Sequence, residues 1–163
     1  MKRIHFALLA AVLALGFAGY RLAYGGPRLS DEERIHQAIE AARVGVVSRE
    51  VGEIMAHVSR SYDDGNYTFE TLRGLIAFGL RQYSHVQVAV YLREVHVQGS
   101  KAVASLDVDA VGLHAGGEQS RYRGALEVHF VREPARRHLI FPDHRWRAVR
   151  MDHFLDIQDA FER

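Results

Sequence analysis

Apolar residues recur at helical spacing from Ser30 to about Tyr83 and then alternate with polar ones. Ser30 and Glu33 form a capping box, in which each side chain meets a backbone N–H that the first helical turn leaves unpaired. Ile35, Ile39, Ala42 and Val46 follow on one face and predict a first helix of about four turns. Ser48 reads as the cap of a shorter second helix, with Val51, Ile54, Met55 and Val58 on one side, ending near the turn cluster Asp63-Asp64-Gly65-Asn66. Thr68 then caps a third helix whose apolar side is Phe69, Leu72, Leu75, Ile76 and Tyr83.

Beyond Ser84 the period becomes two. Val86, Val88, Val90 and Leu92 share a face, whereas Val95 and Val97 have the opposite parity. One extra residue near Arg93-Glu94 restores the register and bends the strand, as a β-bulge does. After a turn at Gln98–Lys101, residues Ala102, Ala104, Leu106, Val108 and Ala110 alternate with Ser105, Asp107 and Asp109. The stretch from Gly112 to Ser120 reads as a Gly-rich loop. Tyr122, Leu126, Val128 and Phe130 alternate with Arg123, Glu127 and His129. A long connection from Glu133 to His144 leads to a last strand around Trp146, Ala148 and Val149. Three helices followed by four strands, the first bent, predict an α+β fold in which a helical layer packs on a curved antiparallel sheet.

The first residues change the picture. Met1-Lys2-Arg3 precedes a 17-residue apolar run, residues 4–20, and Tyr20, Arg21 and Tyr24 follow it. That length is at the short end of what spans a hydrocarbon core of ~30 Å. Two readings stand: an uncleaved anchor with its aromatic and basic flank at the outer interface, or a signal peptide with Gly16 and Ala18 before a cleavage site. Both export the domain, to the envelope or to the periplasm. The organisation expected is a targeting segment over residues 1–24, a linker over 25–29, a folded domain over 30–155 and a tail over 156–163.

With 163 residues, 48% hydrophobic and 25% charged, the chain has one domain's worth of core. Residues 1–29 hold Lys2, Arg3, Arg21 and Arg28 and no acid, which leaves 17 basic and 20 acidic residues for the rest. A mildly acidic domain lacks the basic face from which nucleic-acid binding draws its affinity. Cysteine is absent, which excludes disulfides, thiolate metal sites and Cys nucleophiles.

The first helix from Ser30, the segment Val58-Ser59-Arg60-Ser61-Tyr62-Asp63-Asp64, the helix Thr68–Gln82, the strand from Val95 to Ala104 and the terminal Arg145-Trp146-Arg147-Ala148-Val149 together resemble the nuclear transport factor 2-like superfamily. This is the cone-shaped fold shared with ketosteroid isomerases and polyketide cyclases. The resemblance covers residues 30–155 and rests on structural motifs, so it speaks to fold more than activity. It implies a pocket for a small apolar ligand between the helices and the concave sheet face. In enzymatic members a carboxylate or His there serves as base. It also implies that sheets can pair into a homodimer.

Pocket candidates are Tyr62, Leu106, Tyr122, Trp146 and Arg150. Tyr62, Asp63 and Asp64 either supply polar groups to the pocket, or Tyr62 packs under the sheet while the aspartates close a turn with Gly65. Arg150 and Asp152 share the parity of Trp146 and Ala148, which points them inward. Val149 and Met151 argue instead for a bulge that would turn them out. Asp107 and Asp109 face away from Leu106 and Val108 and, with Arg123 and His129, form the candidate interface. Pairing of the aspartates with Arg123 or Arg147 would be a surface effect.

No catalytic residue stands out, and no cofactor is expected. Among ten histidines no metal-binding spacing occurs, and His96, His129 and His153 are the three that strands could bring together. Arg136-Arg137-His138 followed by Leu139-Ile140-Phe141-Pro142 either meets an anionic membrane surface or extends the final hairpin back over the sheet. These features point to an envelope-located ligand-binding or assembly module without catalytic activity. The alternative is an isomerase, cyclase or dehydratase that transfers protons in an apolar pocket. Inner-membrane parts of type IV secretion machinery share the anchor-plus-fold plan, although nothing in this chain matches them specifically.

Overall fold

A computed structural model describes residues 29–137 and 141–152, the side chains of 136, 137, 141 and 142 excepted. The apolar run over residues 4–20, the tail and His153 lie outside the described residues. No helix among the described residues is long and apolar enough to cross a membrane.

Three helices, α1 (Asp31–Ser48), α2 (Val51–Ala56) and α3 (Phe69–Gln82), precede four strands, β1 (Tyr83–Gln98), β2 (Lys101–His114), β3 (Gln119–Arg137) and β4 (Phe141–Asp152). The strands form one antiparallel sheet in sequence order. The capping box at Ser30 is present, with Glu33 N–H donating to Ser30 Oγ and Ser30 N–H to Glu33 Oε2. At Thr68 the backbone N–H donates to Thr71 Oγ1 at 2.7 Å.

Ser48 does not cap the second helix. It is the last residue of α1, and its hydroxyl bonds back to the Val44 carbonyl. Arg49 then takes a left-handed conformation, φ 63°, which reverses the chain before Glu50, the true N-cap of α2. The second helix is also shorter than its apolar pattern predicts. It stops at Ala56 because His57, Ser59 and Asp63 exchange backbone hydrogen bonds with Ala148 and Val149. That segment covers the free edge of β4, and Arg43 of α1 donates to the Val88 carbonyl on the edge strand β1. The β4 edge is thus covered at Ala148 and Val149, where a free edge would otherwise be open to pairing, and β1 is engaged at the Val88 carbonyl.

The predicted bulge in β1 is present: Leu92 pairs with Leu106 and Glu94 with Ser105, so Arg93 is the extra residue. A second bulge lies in β4, where His129 pairs with Arg150 and Phe130 with Ala148, leaving Val149 between them. Two loops expected from the sequence are strand instead. Gly112 belongs to the ladder, opposite Val86 and Ser120, and only Ala115–Glu118 turns, with Gly117 at φ 90°. Glycine at 112 and 124 makes room for aromatic rings: a Cβ at Gly112 would lie 2.5 Å from the Tyr83 ring, and one at Gly124 2.1 Å from the Tyr122 hydroxyl. The connection from Glu133 to His144 is likewise mostly paired strand, as far as Arg137 opposite Phe141.

The concave face carries the main core. Ile35 of α1 is fully buried among Leu106, Tyr122, Phe130 and Trp146, with Ile39 and the apolar face of β1 packed around them. A second cluster holds Met55, Val58, Tyr62, Phe69 and Leu72, and Met151 touches both.

Candidate functional site

Two places on this frame gather polar chemistry, and a third is an open groove. The first is where α1 begins. Asp31 sits in its first turn, where a carboxylate also complements the helix dipole, and both its oxygens are occupied. Oδ1 accepts from the indole N–H of Trp146 at 3.0 Å and lies 3.0 Å from His144 Nε2; Oδ2 pairs with the Arg132 guanidinium. Arg132 also stacks over the Trp146 ring. One turn on, Arg34 donates to the Asp143 carboxylate at 3.1 Å and to the His144 carbonyl at 3.0 Å. Burial pushes the Asp31 carboxyl up. The bonds from Trp146 and His144, with the Arg132 charge, outweigh it and leave the group below its ordinary value. An Asp–His pair beside an apolar core resembles an acid–base dyad, but a carboxylate with every oxygen committed acts here as a staple between α1 and the β3–β4 hairpin.

The second place is the convex face near the end of β4. Glu127, His129 and Asp152 bring one ligand-type atom each within 4.8 Å of the others. His129 Nε2 lies 2.9 Å from Asp152 and 3.3 Å from Glu127, while Arg150 donates to the other oxygen of Asp152 at 2.7 Å. These residue types can hold a divalent cation, yet Arg150 already supplies the compensating charge. The spacing along the chain does not reveal this group, because the Val149 bulge is what sets Asp152 opposite Glu127.

The groove lies outside the cone, between α1 and α2, with a volume of about 530 Å³. Ala41, Val44 and Gly45 line it together with Glu40, Glu50 and Glu53. Gly45 permits the close crossing, since a Cβ there would lie 2.9 Å from Ile54 Cγ1. Val44, Val47 and, on α3, Phe78 are exposed apolar side chains of this helical layer, Phe78 at 63%.

The residues singled out from sequence divide clearly. Leu106, Tyr122 and Trp146 are buried under α1, and Tyr62 is buried in the second cluster. Arg150 does not face inward: the bulge at Val149 turns it to the outer face, where it pairs with Asp152. Tyr62 donates to Asp64 at 2.7 Å, and its burial, with that carboxylate, raises the phenol strongly. Asp64 accepts the Asn66 and Tyr67 N–H groups and Asp63 the Gly65 N–H, so both aspartates organise the turn before α3.

Asp107, Asp109, Arg123 and His129 all lie on the convex side. Asp107 pairs with Arg93, and Asp109 with Arg121 and Arg123, whose hydrogen bonds hold its carboxyl at about 2. Arg147 pairs instead with Glu133, which also accepts from the buried hydroxyl of Ser59. No linear pattern signals that last cluster, because residues 59, 133 and 147 meet only through the covering of the β4 edge.

No family model matches the chain, and no curated protein matches it. Solved structures do. A conserved protein from Planctomyces limnophilus aligns over 76% of this chain and 94% of its own, with 12% identity and a TM-score of 0.64. A nuclear transport factor 2-like superfamily protein from Salmonella enterica serovar Typhimurium aligns over 73% and 86%, with 13% identity and a TM-score of 0.61. A provisional scytalone dehydratase from Novosphingobium aromaticivorans aligns over 74% and 80%, with 10% identity and a TM-score of 0.61. At these identities the likeness establishes the nuclear transport factor 2-like fold and nothing finer.

Proposed function

We propose that the chain is an envelope-located assembly or ligand-binding module that works through its surface and carries out no catalysis. The observation that carries this reading is the contrast between the inside and the outside of the cone. The concave face is filled by Ile35, Ile39, Leu106, Phe130 and Trp146, and the carboxylate beside it, Asp31, is saturated. The open groove and the exposed Val44, Val47 and Phe78 lie on the outer side of the helices. An enzyme of the proton-transfer kind would need a carboxylate or His free to exchange its proton next to a cavity that holds substrate. The envelope address comes from Lys2, Arg3 and the apolar residues 4–20.

Methyl NMR of the full chain in detergent micelles, titrated with an aromatic ketone such as 1-tetralone, tests this. The expected result is that the Ile35 and Leu106 methyl resonances do not move. Saturable shifts of both, together with deuterium exchange at the ketone's α-carbon, would establish the isomerase or dehydratase reading, to which the Novosphingobium likeness lends its fold. Self-association through the convex sheet is a separate expectation. Arg93, Asp107, Asp109 and Arg123 are paired within the sheet around an exposed Tyr91. Sedimentation of the chain with Tyr91→Glu beside the parent, at rising concentration, decides it.

A further inference from the structure

We propose that the end of the domain where α1 begins and the paired strands β3 and β4 run on to Arg137 and Phe141 is its membrane-facing end, resting on an anionic bilayer surface; this presumes that residues 4–20 stay in the membrane. Three observations place the end. First, eight residues separate the apolar run from Leu29. A tether of that length spans at most roughly 30 Å when fully extended, and the average end-to-end distance of a flexible chain that size is only about 17 Å. The start of α1 is therefore held close to the headgroups. Second, the hairpin lies at the same end. Arg34 donates both to the Leu29 carbonyl and to Asp143, and Asp31 reaches His144 and Arg132. From there the strands continue outward, to Arg136 opposite Pro142 and Arg137 opposite Phe141. At ~3.4 Å per residue, those pairs lie roughly 7 Å beyond the contact with Arg34.

Third, the charge at this end favours an anionic surface. The Ser100 carbonyl accepts the Arg132 N–H, which brings the β1–β2 turn and Lys101 to the same level. Of the acids here, Asp31 is paired with Arg132 and Asp143 with Arg34, while Glu32 and Glu33 are exposed and keep their charge, Glu33 accepting only the neutral Ser30 N–H. Lys101, with the two arginines that the sequence places at 136 and 137, outnumbers Glu32 and Glu33 by three charges to two. Asp31 and Arg34 fix the tilt of the hairpin relative to the tether, so the staple described above also sets the orientation of the whole domain. The groove on the helical layer and the convex sheet are left open to partners.

The absence of cysteine makes the test site-specific. Full-length Pro142→Cys and, at the far β2–β3 turn, Gly116→Cys would each be labelled with a fluorophore. They would be reconstituted into phosphatidylcholine vesicles carrying a headgroup spin label, with and without phosphatidylglycerol. The expected result is strong quenching at position 142, weak quenching at 116, and a dependence of the former on phosphatidylglycerol. Arg136→Glu with Arg137→Glu should lower the phosphatidylglycerol-dependent quenching by more than about fivefold, given the attraction of a single basic side chain to an anionic surface. Unchanged thermal unfolding of that variant shows that the fold is intact. Equal quenching at both positions in protein that resists alkaline carbonate extraction overturns the orientation while leaving the anchor standing. Release by carbonate overturns the anchor and the orientation with it.

Discussion

Helices α1 and α3 begin alike and end differently. Each starts at a hydroxyl residue whose backbone N–H is met by a side chain three residues on, and each carries an apolar stripe. Yet α1 is fixed to the sheet along its length: Asp31 and Arg34 bind the β3–β4 hairpin, Ile35 is fully buried, and Arg43 bonds the edge of β1. In α3 only Phe69 and Leu72, both near its start, are buried, and Phe78 stands exposed. The difference shows that an amphipathic pattern makes a helix able to dock, while polar bonds to distant strands decide where it docks and how much of the stripe is covered.

The largest way to break this comparison is Ile35→Ala. Removing a fully buried branched side chain under the sheet should cost on the order of 2–5 kcal/mol and lower the Tm by about 10 °C. Leu80→Ala, late in α3, should change the Tm by a few degrees at most. Equal losses in calorimetry would mean that α3 is anchored as firmly as α1.

Next comes Asp31→Asn. The amide oxygen can still accept a bond, but the charge facing Arg132 and His144 is gone, and a loss of about 1–3 kcal/mol is expected. The effect depends on pH in a defined sense. Because the folded Asp31 carboxyl lies below its ordinary value, its contribution is complete above about pH 4, the unfolded value, and is lost as pH falls through the folded one. Urea titrations should therefore show parent and variant converging in acid and separated near neutrality. A carboxyl pKa for Asp31 above about 5 by NMR would contradict the staple and favour an acid–base role.

Gly45→Ala sharpens the comparison at the other end of α1. The added methyl meets Ile54, so α2 must shift, with a loss of about 1–2 kcal/mol. If α2 yields freely, the Tm will not move. The smallest effect is Phe78→Ser. It should leave stability within about 0.5 kcal/mol while weakening any association through the helical face, as read by sedimentation. A large destabilisation would show that Phe78 packs in solution.

Much of the fold was legible in the chain. The cap at Ser30, the parity switch that announces the Arg93 bulge, and the alternation from Ala102 to Ala110 all appear as read, because each depends on neighbours within a few residues. Ser48 misled because a hydroxyl can bond back into its own helix as well as cap the next one. Gly112 looked like loop because its role, leaving room for Tyr83, is set by a residue nearly thirty positions away. Arg150 was undecided on parity alone, since one extra residue at Val149 reverses the face of all that follows.

By itself, then, the sequence determined the order of helices and strands, the buried side of each element before the last strand, and an apolar run behind a basic start. Those properties are local, arising from periodicity, caps and composition. Only the tertiary structure decided that Asp31 is a saturated staple, that Arg150 faces outward, that Glu127, His129 and Asp152 converge, and that the start of α1 and the β3–β4 hairpin share one end. Each of these depends on strand register and helix docking. Both are fixed by contacts between residues tens to over a hundred positions apart, which no local pattern encodes.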